Sequence, residues 1–340
     1  MAFKRLDPQD LVISTDSITS TVWSNNNPTL TGFFTSSTQV TSNISQFYYS
    51  VYQTSSTGAS AAVQFDIAYC DKAGSGSLWY NQLVPGVSPT RTNYGQYRTL
   101  ILGDENADFT FGNITSSYFY AINIERARYK QSLLPGTMTM LLSGSGGQIS
   151  LTDDSTIASS VTYTDAGRVY NMVSGSAGTV FTGTDARGWT PSSGSYGWFL
   201  PDIGVILLNG LALDAGSTGK GISLGTNRLS NINTADNPSK IINALNLGKS
   251  FKLNSQESLS SDFIFIRARN NEFNYSENPS FISGSTGEVI FDSFINNPQT
   301  YISTVGLYND NSELLAVAKL SRPLAKDFTK ELLVRVKLDF

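Results

Sequence analysis

The final stretch of the chain, Glu331 to Phe340, sets Val334, Val336, Leu338 and Phe340 against Arg335, Lys337 and Asp339 in strict alternation. A period of two sends alternate side chains to opposite faces, which fits a half-buried β-strand and not a helix. The same period recurs upstream. In AAVQFDIAY, Val63, Phe65, Ile67 and Tyr69 alternate with Gln64, Asp66 and Ala68, which predicts one buried and one wet face. In YFYAINIERARY, Tyr118, Tyr120, Ile122 and Ile124 form the better core face, opposite Phe119, Ala121 and Asn123. Ser, Thr, Gly and Asn clusters bound these runs, as turns between strands require. The expected fold class is therefore mainly β: several antiparallel β-sandwich-like modules with one or a few short helices.

One stretch reads as a helix, NPSKIINALNLGKS. Asn237 or Ser239 can cap it, Pro238 suits its first turn, Ile241, Ile242 and Leu245 share a face, and Gly248 can end it. Glycine and serine crowd SGSGGQ, Ser143 to Gln148, and such runs mark boundaries because they bend freely and pack little. The expected division is an N-terminal β-sandwich-like domain over 1–142, a middle irregular β-rich region over 143–254 with its helix near 239–247, and a C-terminal β module over 255–340. Within the last, YISTVGLYNDNSELLAVAKL, Tyr301 to Leu320, places two apolar runs around Asn-Asp-Asn-Ser and predicts a β-hairpin. AKLSRPLAKDFTKE then links it to the final strand, with Lys319, Arg322, Lys326 and Lys330 as a local basic patch. RARNNEFNYSENPSF, Arg267 to Phe281, reads as a loop packed by its aromatics and hydrogen-bonded by its amides.

The chain has no histidine, which removes Ser-His, Cys-His and His-ligated metal arrangements together. Its single cysteine, Cys70, forms no internal disulfide, as in a protein made in a reducing cytoplasm. A formal net charge of -4 argues against a nucleic-acid-coating surface, and no stretch reads as a leader or membrane span. Paired carboxylates remain for catalysis: Asp104 with Glu105, and Asp153 with Asp154, all of which also suit turns. The AGSTGKGIS segment around Lys220 has Asp214 where a phosphate loop requires glycine, and reads as surface loop. Phe47, Tyr48, Tyr49, Tyr52, Trp79 and Tyr80 are expected to form core or subunit contacts, or to line a sugar groove.

Three C-terminal stretches, FIFIRARNNEFNYSENPSF, NPQTYISTVGLYNDNSELLAVAKLSRPLAKDF and KELLVRVKLDF, resemble the C-terminal module of virion structural proteins from large contractile-tailed bacteriophages, T-even-like cyanophages among them. The resemblance covers Asp262 to Phe340, and extends more weakly to ISTDSITSTVW, YGQYRTLILGDEN, RYKQSLLPG and GWFLPDIGVILLN. It implies a non-enzymatic tail or baseplate component, with no cofactor or metal. It would be assembled in the host cytoplasm into the virion, oligomeric there, and bound to other virion proteins. On that reading the docking interface comprises Tyr301, Val305, Leu307, Leu315, Val317, Lys319, Arg322, Val334, Val336, Leu338 and Phe340. The alternatives are a receptor- or carbohydrate-binding appendage facing a host-surface glycan through Trp79, Tyr80 or Tyr94, a depolymerase, or a neck- or head-associated protein.

Overall fold

The computed structural model describes residues 4–23, 26, 34–37, 48–52, 62–74, 90–181, 196–216, 221–228, 236–276 and 278–339. The chain forms two compact units, Ile18–Glu257 and, from its two ends, Met1–Ser17 with Ser258–Phe340. The fold is mainly β, with large antiparallel sheets, as the alternation predicts.

In the larger unit the strands are β1 (Leu11–Thr21, which also enters the smaller unit), β2 (Phe34–Ser37), β3 (Tyr48–Tyr52) and β4 (Val63–Asp71). Helix α1 (Thr90–Leu102) follows, then β5 (Phe109–Phe111), β6 (Ile114–Ser116), β7 (Tyr118–Ile124), β8 (Ser132–Leu133), β9 (Thr139–Gly144) and β10 (Gly147–Asp153). Next come β11 (Thr162–Thr164), β12 (Gly167–Ser176), β13 (Thr179–Val180), β14 (Gly197–Leu200) and β15 (Val205–Asn209). They are succeeded by α2 (Gly210–Asp214), α3 (Asn237–Gly248), β16 (Ser250–Lys252) and β17 (Asn254–Ala268, most of which belongs to the smaller unit). One antiparallel sheet runs β16-β9-β10-β12-β14-β15-β7-β4-β3-β2.

This sheet is covered on both faces at its centre. Tyr120, Ile122 and Ile124 of β7 join Phe65, Ile67 and Tyr69 of β4 in one apolar cluster, with Ile241, Ile242 and Leu245 of α3. Phe119 and Ala121 of β7 and Cys70 of β4 join Tyr94 and Ile101 of α1 in a second cluster on the opposite face. On the face expected to be wet, Gln64 is thus buried and Asp66 and Ala68 half-buried, because α1 packs on this side of the sheet; each large apolar side chain it removes from water contributes about 1.5–3 kcal/mol. At the edge of the first cluster, Arg228 braces β4 with two 2.8 Å hydrogen bonds to the buried Asp71 carboxylate, which also accepts from Tyr69 Oη.

The glycine-rich stretch expected as a domain edge is instead the turn of the β9–β10 hairpin inside this sheet. Its glycines serve close packing: a Cβ on Gly144 would collide with the Ile222 carbonyl oxygen. Helix α3 forms where expected. Asp236 rather than Asn237 or Ser239 precedes it, and Lys249, not Gly248, takes the left-handed conformation that ends it, with φ 62°. Gly248 is needed for another reason, since a Cβ there would collide with the Leu141 carbonyl oxygen of β9.

In the smaller unit, β17 lies between β1 and the final strand β20 (Leu332–Asp339), pairing with β20 from Ser261↔Asp339 to Ala268↔Leu332. Before β20 come the short helix α4 (Asp292–Asn296) and the hairpin of β18 (Thr300–Tyr308) and β19 (Leu314–Lys326). The core of this unit is slight: Ile264, Val334 and Val336, with Val305, Leu307, Ala318, Leu320 and Leu324 packed against them half-buried.

Candidate functional site

The hairpin forms where the sequence places it. Asn309 closes its turn, accepting at Oδ1 from the Glu313 and Asn311 amides, while Ser312 takes a left-handed φ of 65°. β19 runs on to Lys326, so the expected link to the last strand shrinks to a tight turn. In it Asp327 accepts from Thr329 Oγ1 at 2.5 Å and the Thr329 amide at 2.8 Å, and pairs with Lys330 at 3.1 Å. These hydrogen bonds, Thr329 Oγ1 foremost, hold the Asp327 carboxyl down to about 2.

Burial divides the expected docking residues into two groups, with a register shift in β18 between Ile302 and Thr304 separating Tyr301 from Val305 and Leu307. Val305, Leu307 and Leu338 are half-buried, and Val334 and Val336 buried, so these five build the unit's own core. Tyr301, Leu315 and Val317 point outward, exposed at 65, 68 and 57%, with Lys319 and Arg322 exposed on the same strand as the last two. Phe340 lies outside the described residues. A trough of about 2300 Å³ is lined by residues of β17, β18, β19 and β20, among them Ile266, Leu307, Leu314 and Leu338, and by Phe273 of the loop after β17.

Lys326 does not belong to a basic surface patch. It is fully buried, and its ammonium donates to the carbonyl oxygens of Asn270 and Asp327, at 2.9 and 2.8 Å, and to Asn274 Oδ1 at 2.7 Å. Asn274 Nδ2 donates back to the Asn270 carbonyl at 2.6 Å, and Thr300 Oγ1 to the Phe273 carbonyl. The Arg267–Phe281 segment is therefore the amide-bonded loop its composition suggests, organised around a lysine that sequence reasoning assigned to solvent. Three oxygen acceptors match the three ammonium donors, which is what permits the burial.

The carboxylate candidates are not gathered. Asp104 and Glu105 are exposed, and Asp104 accepts from the Asn106 amide. Asp153 is buried and accepts from the amides of Gly136 and Ser155, whereas Asp154 accepts from the Asn171 amide and Nδ2. Each holds a turn or neighbouring strand. Tyr94, a groove residue on the carbohydrate reading, is buried edge-on against Phe109 at 5.4 Å between ring centroids, because α1 turns it into the core. Phe47, Trp79, Tyr80 and Lys220 lie outside the described residues.

Among the described residues, no group of three or more acidic or cysteine side chains is placed to hold a metal ion, and no helix is long and apolar enough to cross a membrane. No protein-family profile matches the chain, and no curated protein or solved structure is significantly similar to it.

Proposed function

We propose that the chain is a structural component of a tailed-phage virion, in the tail or baseplate, acting through protein–protein interfaces as an oligomer. One observation carries the interface part of this reading: a unit with a slight core leaves Tyr301, Leu315 and Val317 open to water on a well-formed hairpin. Leu315 and Val317 are neighbours near the hairpin tip and Tyr301 stands at its base, so the apolar exposure runs along the hairpin as an elongated surface for a partner. Lys319 and Arg322 beside it suit a partner surface carrying acidic side chains. The tail assignment rests on the resemblance of the stretches between Asp262 and Phe340 to tail proteins. Antibody labelling of purified tailed particles under the electron microscope tests it. Label at the tail or baseplate supports the assignment, whereas particles that carry none of the chain refute it.

A further inference from the structure

The larger unit holds a cleft of about 480 Å³ that the interface reading does not use. Its floor is a register row across three strands: Asp66 of β4 pairs with Asn123 of β7, and Asn123 with Val205 of β15. Strand pairing puts these residues on one face of the sheet. Its wall is one stripe of α1, where Asn93, Gln96, Tyr97 and Leu100 recur at helical spacing beside the stripe that buries Tyr94 and Ile101.

The polar groups in this cleft are arranged and incompletely used. Tyr97 Oη donates to Asn123 Oδ1 at 2.8 Å and accepts from Asn123 Nδ2 at 2.6 Å, which fixes both side chains. Asp66 lines the cleft, but its Oδ1 lies just out of reach of solvent and has no hydrogen-bond partner among the described residues, so a ligand meets it once the side chain turns outward. Burial, reinforced by the Glu125 charge and opposed by a hydrogen bond from Ser50, holds the Asp66 carboxyl above the usual carboxylate range. An orphaned acceptor of this kind costs stability and calls for an explanation, and a ligand that completes it would supply one.

The chemistry of the lining selects the ligand. Asn93, Gln96, Asn123 and Tyr97 each both donate and accept, as a hydroxyl does, and only Asp66 is acceptor-only when ionised. An ammonium ligand would leave the amide donors unanswered, and an anion would meet a carboxylate with no cationic side chain among the described lining residues. Ala68, Ile203 and Val205 add apolar surface for the carbon face of a ring. We infer that this cleft binds a small, neutral, hydroxyl-rich molecule of the size of one or two sugar rings, with Asp66 accepting from a ligand hydroxyl.

Saturation-transfer-difference NMR on the full chain tests this with glucose, galactose, N-acetylglucosamine and maltose, and with ethanolamine as the amine contrast. At least one sugar should saturate below about 10 mM, an ordinary weak-site affinity. Asp66→Asn and Tyr97→Phe should each weaken it about tenfold, as loss of a buried hydrogen-bonding group does. Leu100→Trp, an exposed position at the rim, should block it while leaving the fold intact. The inference is overturned if no sugar saturates, if Leu100→Trp leaves binding unchanged, or if ethanolamine binds and the sugars do not.

Discussion

At the scale of the residue, two buried polar groups behave in opposite ways. Lys326 has an oxygen for each ammonium hydrogen, so its charge is satisfied; Asp66 leaves one oxygen without a partner among the described residues. Lys326→Met removes the donor and strands the Asn274 Oδ1 and Asp327 carbonyl acceptors, and should destabilise the smaller unit by about 2–4 kcal/mol. Hydrogen exchange of the β18 and β19 amides measures this. Asp66→Asn should do the reverse. A carboxyl whose folded pKa is raised binds its proton more tightly folded than unfolded, so its ionisation costs stability once pH rises through the folded value. The substitution should therefore stabilise the chain at pH 7 by no more than about 1 kcal/mol, since the group is partly solvated, and that gain should vanish near pH 4. Urea unfolding of both forms at the two pH values decides it. Neither role was legible in sequence: in QFDIA an aspartate on the polar side of an alternating strand reads as wet, and a lysine after a hairpin reads as solvated. Burial of either depends on residues distant in the chain, α1 over Asp66 and the Asn270–Asn274 loop around Lys326.

At the scale of the element, legibility followed local pattern. The hairpin, the last strand and α3 all carry their signal within a dozen or so residues, as alternation around an Asn-rich turn or as an apolar stripe behind a proline. α1 does not. Thr90-Arg-Thr-Asn-Tyr-Gly-Gln-Tyr-Arg-Thr is poor in strong helix formers and has a glycine at its middle, so packing of Tyr94 and Ile101 against the sheet outweighs propensity. Two glycines separate these causes. A Cβ on Gly95 of α1 would have nothing within 4 Å, and Gly95→Ala should raise stability by about 0.5–1 kcal/mol through propensity alone. Gly248 of α3 lies against the β9 backbone, and Gly248→Ala should lower stability by about 1–3 kcal/mol by forcing helix and strand apart. Thermal unfolding followed by circular dichroism should show the two midpoints moving in opposite directions.

At the scale of the whole molecule, what sequence left hidden is non-local pairing. The strands of the middle region and of the first 142 residues alternate alike, but nothing in their spacing says that β15 pairs with β7 in one sheet, or that the N-terminal residues join the C-terminal unit. Charge also divides the two units. In the smaller one the Asp327, Glu272 and Asp339 carboxyls are all lowered by hydrogen bonds, from Thr329, Lys4 and Lys337 respectively. Stability from lowered carboxyls is present above the unfolded pKa and lost as pH falls through the folded one. In the larger unit burial raises Asp66 and Asp153, whereas Asp202, pushed up by burial, is carried below its usual value by Arg168. Acidification below about pH 4 should therefore loosen the smaller unit first, seen as earlier loss of its amide signals in an NMR titration. The most direct test of the interface reading is sedimentation velocity over a range of concentrations, on the full chain and on a Tyr301→Ser, Leu315→Ser, Val317→Ser variant. The account predicts a multiple of the monomer mass for the native chain and a folded monomer for the variant. A native chain that stays monomeric at every concentration, or a variant that assembles as before, would contradict it.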